Sequence, residues 1–316
     1  MLFAILAAVV GALTTLQSRF NGQLSTDIHN GVAAAIISFI SGWVILIGFC
    51  GFYKPDRDGL KIIWSSLRNR RLKWWEILGG MGGGFFVALQ STLVPTLGVA
   101  IFTICIVGGQ TTLSIIVDLM GLSPSGKHRL TPIRAITTVI ILVSVTIAVY
   151  PDLKNSTFKF LPILLTLLVG GVVAFQQALN GRVNAVSQRP LATTFVNFLM
   201  GTLVLIVALA INLSRGGDIG ALPHNPWVYM GGPLGLVFIA MSALTVKHLG
   251  ILNFVLFSVT GQLIGGLAID WIAPASHTRI TSYLVTGTAM TLVAVVSSRF
   301  LTSRQSKSET QSLTSN

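Results

Sequence analysis

Charged residues are so widely spaced in this 316-residue chain that nine segments contain no Asp, Glu, Lys or Arg. These segments are residues 1–18, 28–53, 77–117, 135–151, 160–181, 190–214, 219–246, 248–269 and 280–298. A helix that crosses the hydrocarbon of a bilayer needs about 20 mostly apolar residues. Charged types make up 9% of the chain, against about 25% in soluble globular domains, so a soluble surface cannot be built. The sequence predicts an all-α polytopic membrane protein.

The segment 77–117 is too long for one membrane helix. It has 41 residues and contains Val94-Pro95-Thr96-Leu97-Gly98 near its middle, a combination typical of a turn. We therefore expect two helices in this segment, which brings the predicted number of transmembrane helices to ten.

Basic residues concentrate on one side of this topology. With the N-terminus in the cytoplasm, 16 Lys and Arg residues fall in cytoplasmic segments and 5 fall outside. Short cytoplasmic loops are enriched in Lys and Arg, so we expect both termini in the cytoplasm. The same bias explains the net charge of +12 without nucleic-acid binding. Within the basic loop 54–73, Leu60, Ile63, Trp64 and Leu67 have helical spacing, which predicts a short helix on the inner membrane surface.

The second half of the chain repeats the first. An offset of 159 residues aligns Gln17, Asn21 and Gly22 with Gln176, Asn180 and Gly181, and it also aligns Ala33, Phe39 and Gly42 with Ala192, Phe198 and Gly201. An offset of 152 aligns Gly79, Gly80 and Gly83 with Gly231, Gly232 and Gly235, and it continues through Gln110 with Gln262 and Asp118 with Asp270. A duplicated chain of this kind is typical of transporter folds.

Each half has five predicted helices, in residues 1–150 and 151–302, and a polar tail at 303–316 is expected to be disordered. Because five is odd, the second half should enter the membrane from the opposite side, giving two inverted five-helix repeats. In the second half, Lys247 and His248 are predicted to form the turn that corresponds to Pro95. Inverted repeats support alternating access, in which one side of the protein closes as the other opens.

The repeated motifs resemble a known family. Gln-x-x-x-Asn-Gly ends the first helix of each half, at 17–22 and 176–181, and Ala-x-x-x-x-x-Phe-x-x-Gly marks each second helix, at 33–42 and 192–201. With ten helices in two inverted repeats, this resembles the drug/metabolite transporter superfamily (DMT, with EamA-like members), and most of all its YdcZ-like branch of inner-membrane exporters. The resemblance implies a small-molecule carrier in the bacterial inner membrane, in which helices 1, 3, 4, 6, 8 and 9 line a central cavity.

Amide side chains within the membrane are the candidates for the cavity. A buried amide is costly unless it is hydrogen-bonded, so its position carries information. The candidates are Gln17, Asn21, Gln90, Gln110, Gln176, Asn180, Asn197 and Gln262. Two interpretations stay open, because these amides could contact a substrate or could bond across helices to fix their packing.

Asp118 and Asp270 are the repeat-matched acids. Either could couple transport to protons, since desolvation raises the pKa of a carboxyl group. Asp118 lies 20 residues after Gly98, about 30 Å along a helix, so the alternative is a helix-end acid that pairs with nearby cations. Glu76 follows Trp74 and Trp75, and we expect it to be interfacial.

Several glycines have the small-xxx-small spacing that lets helix backbones approach closely. They are Gly79, Gly80, Gly83, Gly84, Gly231, Gly235, Gly261 and Gly265, and we expect them in helix packing. The sequence does not distinguish internal packing from the contacts of a homodimer.

No enzyme activity, metal or cofactor is expected. The spans hold amides and hydroxyls but no nucleophile with a base, no paired carboxylates and no histidines at ligand spacing. Residues 121–128 match a phosphate loop except at His128, which stands where Ser or Thr is required, so ATP binding is not expected. The leading hypothesis is a secondary active exporter, driven by protons, of a small metabolite or drug-like compound. The alternative is a passive facilitator or a flippase for a lipid-linked headgroup.

Overall fold

The computed structural model describes residues 2–122, 126–127, 130–155, 159–274 and 280–297. These residues form α-helices and two short 3-10 turns, Trp74–Leu78 and Pro226–Tyr229, with no strand among them. The α-helices are α1 (Leu2–Asp27), α2 (Gly31–Phe52), α3 (Lys54–Arg68), α4 (Gly79–Leu97), α5 (Val99–Leu119), α6 (Pro132–Asn155), α7 (Phe160–Ser187), α8 (Pro190–Ser214), α9 (Gly231–Ile272) and α10 (Ser282–Ser297). The tail 303–316 and much of the segment 121–128 lie outside the described residues.

Eight helical segments in the described part of the chain are long and apolar enough to cross a membrane. They belong to α1, α2, α4 with its preceding turn, α5, α6, α7, α8 and the C-terminal part of α9, and α10 is a shorter apolar helix. Large apolar side chains such as Ile136, Val139 and Val207 are more than half exposed on these helices. A surface of this kind suits lipid rather than water, and the chain is an all-α polytopic membrane protein.

The expected break in segment 77–117 is confirmed. Helix α4 ends at Leu97, and α5 begins at Val99 after Gly98, whose φ of 83° favours glycine. Pro95 lies in the last turn of α4, and a proline within a helix removes a backbone hydrogen bond and disfavours its continuation. The sharp turn between the two helices therefore depends on both residues.

The turn expected at Lys247 and His248 is wrong, because α9 continues through both residues from Gly231 to Ile272. Residues 246–249 contain neither proline nor glycine, so nothing here forces the backbone out of the helical region. The ring of His248 stacks on Phe3 of α1, with 4.0 Å between the ring centroids. At about 1.5 Å per residue, the 42 residues of α9 exceed the length that one bilayer crossing requires.

The amphipathic helix expected in the basic loop is present as α3, but most of its apolar side packs on protein. Ile63 is buried with Val183 and Ala192, and Leu60 and Leu67 pack against the same cluster. Of the four apolar residues with helical spacing, only Trp64 is largely exposed, at 72%. The apolar spacing thus serves mainly to dock α3 on α7 and α8.

The two halves of the chain make matching contacts with each other. The backbone of Gly42 packs against the ring of Phe198, and its counterpart Gly201 packs against the ring of Phe39. In both places a Cβ atom would collide with the ring, so α2 and α8 approach closely only because glycine has no side chain. If the two halves are exchanged, each of these two contacts takes the place of the other.

A second pair of contacts is also matched between the two halves. Gly109 of α5 packs against the carbonyl of Leu167 in α7, and Gly261 of α9 packs against the carbonyl of Ala8 in α1. The offsets of 152 and 159 residues relate these contacts to one another. Close contacts are also made by the other packing candidates, Gly79, Gly80, Gly83, Gly84, Gly231, Gly235 and Gly265. These glycines bring together helices of opposite halves around the centre of the molecule.

Candidate functional site

A cavity of about 520 Å³ lies between the two halves. Residues of α1, α2, α4, α5, α7, α8 and α9 line it. The family resemblance implied a lining by predicted helices 1, 3, 4, 6, 8 and 9, which correspond to α1, α4, α5, α7 and the two parts of α9. The observed set is wider, because α2 and α8 also contribute residues. None of the described residues that line the cavity is charged. A volume of this size lies within the range of small-molecule binding sites.

Phenyl rings form much of the apolar wall. The six rings belong to Phe39, Phe86, Phe102, Phe198, Phe238 and Phe254. Two pairs of these rings are in contact, Phe39 with Phe198 at 5.0 Å and Phe86 with Phe102 at 6.0 Å between centroids. Such a wall offers an apolar body both contact area and aromatic faces.

Six of the eight amide candidates line the cavity, namely Gln17, Gln110, Gln176, Asn180, Asn197 and Gln262. The other two, Asn21 and Gln90, are fully buried beside it. The Nδ2 atom of Asn21 donates a hydrogen bond to Oε1 of Gln90 at 2.9 Å, and Nε2 of Gln90 donates to Oγ of Ser18 at 2.6 Å. This chain of bonds joins α1 to α4.

Asn197 organises the amides between α7 and α8. Its Oδ1 atom accepts hydrogen bonds from Nε2 of Gln176 at 3.0 Å and from Nδ2 of Asn180 at 2.8 Å. The three amides come from two helices and face the same cavity. Because each is held by a partner, this part of the wall is ordered before any ligand binds.

A further amide pair lies between α5 and α7. The Nε2 atom of Gln110 donates to Oε1 of Gln177 at 2.8 Å, and both residues line the cavity. Gln177 and Asn184 are cavity residues that were not among the sequence candidates. Their counterparts in the first half are Ser18 and Ser25, so the repeat gives no signal for them.

The wall between α1 and α9 differs, because three of its polar side chains have no hydrogen-bond partner among the described residues. Gln17 and Gln262 face the cavity from these two helices, and neither side chain has a hydrogen-bond partner in the described part of the chain. Ser258 also lines the cavity; the residue is 2% exposed, and its Oγ atom has no hydrogen-bond partner. Its counterpart in the first half is Ile106, so sequence matching gave no signal for it.

The repeat-matched acids do not line the cavity in the described structure. Asp118 accepts a hydrogen bond from Nη2 of Arg134 at 2.6 Å, an ion pair near the end of α5. Asp270 is buried, and its two oxygens accept from the backbone N–H groups of Val99 at 3.0 Å and Ala100 at 2.8 Å. Asp270 thus caps the first turn of α5, where a carboxylate is stabilised by the free N–H groups and the helix dipole.

Glu76 has a partner that the sequence did not indicate. Although expected at a membrane surface, the residue is 3% exposed, and its Oε1 atom lies 2.7 Å from Nε of Arg182 in α7. Its other carboxylate oxygen accepts the backbone N–H of Lys73 at 2.7 Å. Among the described residues, no group of three His, Cys, Asp or Glu side chains could hold a metal ion.

A bundle of apolar helices around a cavity of amides and phenyl rings defines a polytopic membrane protein with an internal chamber of ligand size. Its family is shown by a family model described as "Putative inner membrane exporter, YdcZ", which matches residues 2–147 and again residues 161–297. The chain belongs to this family of the drug/metabolite transporter superfamily. The two matches fall one on each half of the duplicated sequence.

Comparison with solved structures gives a similar fold over nearly the whole chain. One match, described only as "Crystal structure of protein", has a TM-score of 0.52 at 14% sequence identity and covers 96% of this chain and 97% of the other. At this identity the likeness concerns the fold alone. No curated protein matches the chain.

Proposed function

We propose that this protein is a secondary active transporter that exports a small metabolite or drug-like compound by alternating access. The observation that carries the proposal is a cavity of ligand size placed between two halves that make matching contacts with each other. Membership of an exporter family supports the outward direction. The proton gradient is the proposed drive, and a protonophore that leaves export unchanged would contradict it.

The proposal includes two inverted repeats of five helices, residues 1–150 and 151–302. Matching contacts support it, since Gly42 with Phe198 and Gly201 with Phe39 exchange when the halves exchange. A continuous helix crosses a bilayer once, so ten crossings require a break within α9, whose 42 residues are enough for two spans of about 20 residues each. Halves built to one design can adopt each other's conformation, which is the requirement for opening on alternate sides.

The cavity supports alternating access because it extends unequally toward the two ends of the molecule. On α7 its lining continues from Gln177 through Asn180 to Asn184, and it reaches Pro190 at the start of α8. On α1 the lining stops at Ser18, the counterpart of Gln177. With the proposed topology, the end near Asn184 is cytoplasmic, so this conformation corresponds to one that loads from the inside.

The test compares cells that express the intact chain with cells that express a blocked cavity, Val173→Trp. Val173 lines the cavity, so an indole there fills it, whereas Leu168→Trp on the same helix is the control because Leu168 is 54% exposed. Untargeted mass spectrometry of medium and cell extract should find a compound that is enriched outside and depleted inside with the intact chain and with Leu168→Trp only.

Other outcomes of this comparison would overturn the proposal or parts of it. A compound that accumulates inside would contradict export. A change confined to lipid-linked compounds would favour the flippase alternative. Identical profiles for the intact chain and Val173→Trp, at equal membrane levels, would contradict the transporter function.

A further inference from the structure

We propose that Gln17, Ser258 and Gln262 form the surface that hydrogen-bonds the substrate, here called the recognition surface. We further propose that the substrate is an uncharged molecule with an amide-like edge, which both donates and accepts, on an apolar or aromatic body. This inference rests on the proposed transport function and assigns the chemistry of the same cavity. The evidence for this inference is a set of three differences between the two halves of the chain.

The first difference concerns Gln17 and its counterpart Gln176. Gln176 donates to Asn197 at 3.0 Å, so part of its hydrogen-bonding capacity is used within the protein. The residue that corresponds to Asn197 in the first half is Ser38. Ser38 has a shorter side chain and makes no bond to Gln17, whose amide at the cavity has no hydrogen-bond partner among the described residues.

The second difference concerns Gln262 and its counterpart Gln110. Gln110 donates to Gln177 at 2.8 Å, whereas the residue that corresponds to Gln177 in the first half is Ser18. The hydroxyl of Ser18 donates to the carbonyl of Thr14 at 2.9 Å and accepts from Gln90 at 2.6 Å. Ser18 is thus already occupied, and the amide of Gln262 has no hydrogen-bond partner within the part of the chain that the structure describes.

The third difference is Ser258 itself, which replaces the isoleucine found at the corresponding position 106. Ser258 lines the cavity, and its hydroxyl is buried without a partner among the described residues, although buried polar atoms are nearly always hydrogen-bonded. An unpartnered buried hydroxyl costs free energy in the empty protein. A substrate that supplies the missing partner recovers this cost.

The rest of the cavity lining indicates that the substrate is uncharged. No described lining residue could neutralise an ion, and a buried charge without a counter-charge is strongly disfavoured. The free amides of Gln17 and Gln262 each present a carbonyl acceptor and an NH₂ donor, which together match an amide edge. The rings of Phe102, Phe238 and Phe254 provide the apolar surface for the rest of the molecule.

The binding test uses the purified full chain in lipid nanodiscs and matched sets of probes. Each set has a carboxamide, a carboxylate and a methylammonium group on one aromatic body, namely phenyl, indolyl, naphthyl or biphenyl. Binding that Val173→Trp abolishes is counted as cavity binding. We expect carboxamides to bind at least about 10-fold more tightly than their charged analogues. Equal or tighter binding of a charged analogue, or no cavity binding by any carboxamide, would overturn the assignment of an uncharged amide-like substrate.

Variants then test the recognition surface. Gln17→Leu/Gln262→Leu removes the free amides, and we expect carboxamide binding to weaken at least about 10-fold. The matched control, Gln110→Leu/Gln177→Leu, removes an amide pair whose members bond to each other, and we expect a loss of less than about 3-fold. Equal losses in the two double variants would overturn the recognition surface.

Ser258→Ala gives an independent test, because the substitution removes only one hydroxyl group. Removing an unpartnered buried hydroxyl should raise the melting temperature of the empty protein while it weakens carboxamide binding about 3-fold or more. A lower melting temperature, or unchanged binding, would contradict the role of Ser258. The metabolite comparison with Val173→Trp tests transport without these probes, so failure of the probe assay and failure of the transporter function are distinguishable.

Discussion

Glu76 and Arg182 form an ion pair of 2.7 Å that joins the first half of the chain to the second. The Glu76 side chain is 4% exposed and the Arg182 side chain is 33% exposed, so the pair lies at the edge of the protein interior. The corresponding residues across the repeat are Val228 and Gln23, which carry no charge. The pair therefore strengthens the contact between the halves at one end of the molecule and not at the other.

We expect Glu76→Gln to lower the free energy of unfolding by about 1–3 kcal/mol. Removing one partner of a fully buried pair costs about 3–5 kcal/mol, and the exposed third of Arg182 lowers this figure. Arg182→Gln should have a similar effect. In the double variant, the loss should be smaller than the sum of the two, which thermal unfolding of the purified variants measures. Additive losses would show that the two side chains are not coupled.

The close contact of Gly261 with the carbonyl of Ala8 gives a second prediction. A side chain at Gly261 would force α1 and α9 apart, so Gly261→Val should lower the free energy of unfolding by about 1–3 kcal/mol or more. The control is Gly48→Ala, because a Cβ on Gly48 meets no atom within 4 Å. Alanine also favours a helix over glycine by up to about 1 kcal/mol, so the control should be as stable as the native chain or more so. Monodisperse yield and melting temperature check both variants.

Most of the amides that match across the repeat line the cavity, although Asn21, the counterpart of Asn180, lies beside it. The amides Gln17, Gln110, Gln176 and Gln262 match across the repeat, and all line the cavity. The face of the helix on which each amide lies follows from helical spacing, which can be read from the sequence. Their hydrogen bonds do not follow from it, because partners such as Asn197 come from another helix and depend on packing.

The sequence failed where the two halves differ. The turn at Lys247 was inferred from its counterpart Pro95, but a lysine does not break a helix, and α9 continues. Ser258 was not identified because its counterpart is an isoleucine, and the ion pair of Glu76 was not identified because its partner Arg182 is 106 positions away. Pairings over such distances depend on tertiary structure, which composition and periodicity do not encode.

The cap formed by Asp270 predicts a structural role for this buried acid. In Asp270→Asn, one of the two acceptors for the N–H groups of Val99 and Ala100 becomes an NH₂ donor. We expect the free energy of unfolding to fall by about 0.5–2 kcal/mol, the usual cost of losing a helix cap. Chemical denaturation in detergent provides the measurement. Unchanged stability would show that the two backbone bonds contribute little.

The ion pair of Asp118 with Arg134 predicts that this acid is not needed for proton coupling. Both side chains are partly exposed, at 20% and 31%, and neither residue lines the cavity. Asp118→Asn should therefore keep the export rate within about 2-fold and lose at most about 1 kcal/mol of stability, as for other partly exposed pairs. Export of the compound found by mass spectrometry, measured from pH 5.5 to about 8, checks this with Arg134→Gln as the matched variant. If Asp118→Asn alone removed the pH dependence, Asp118 would be the coupling site. If both variants lost export equally, the ion pair would be required to hold α5 against α6 during transport.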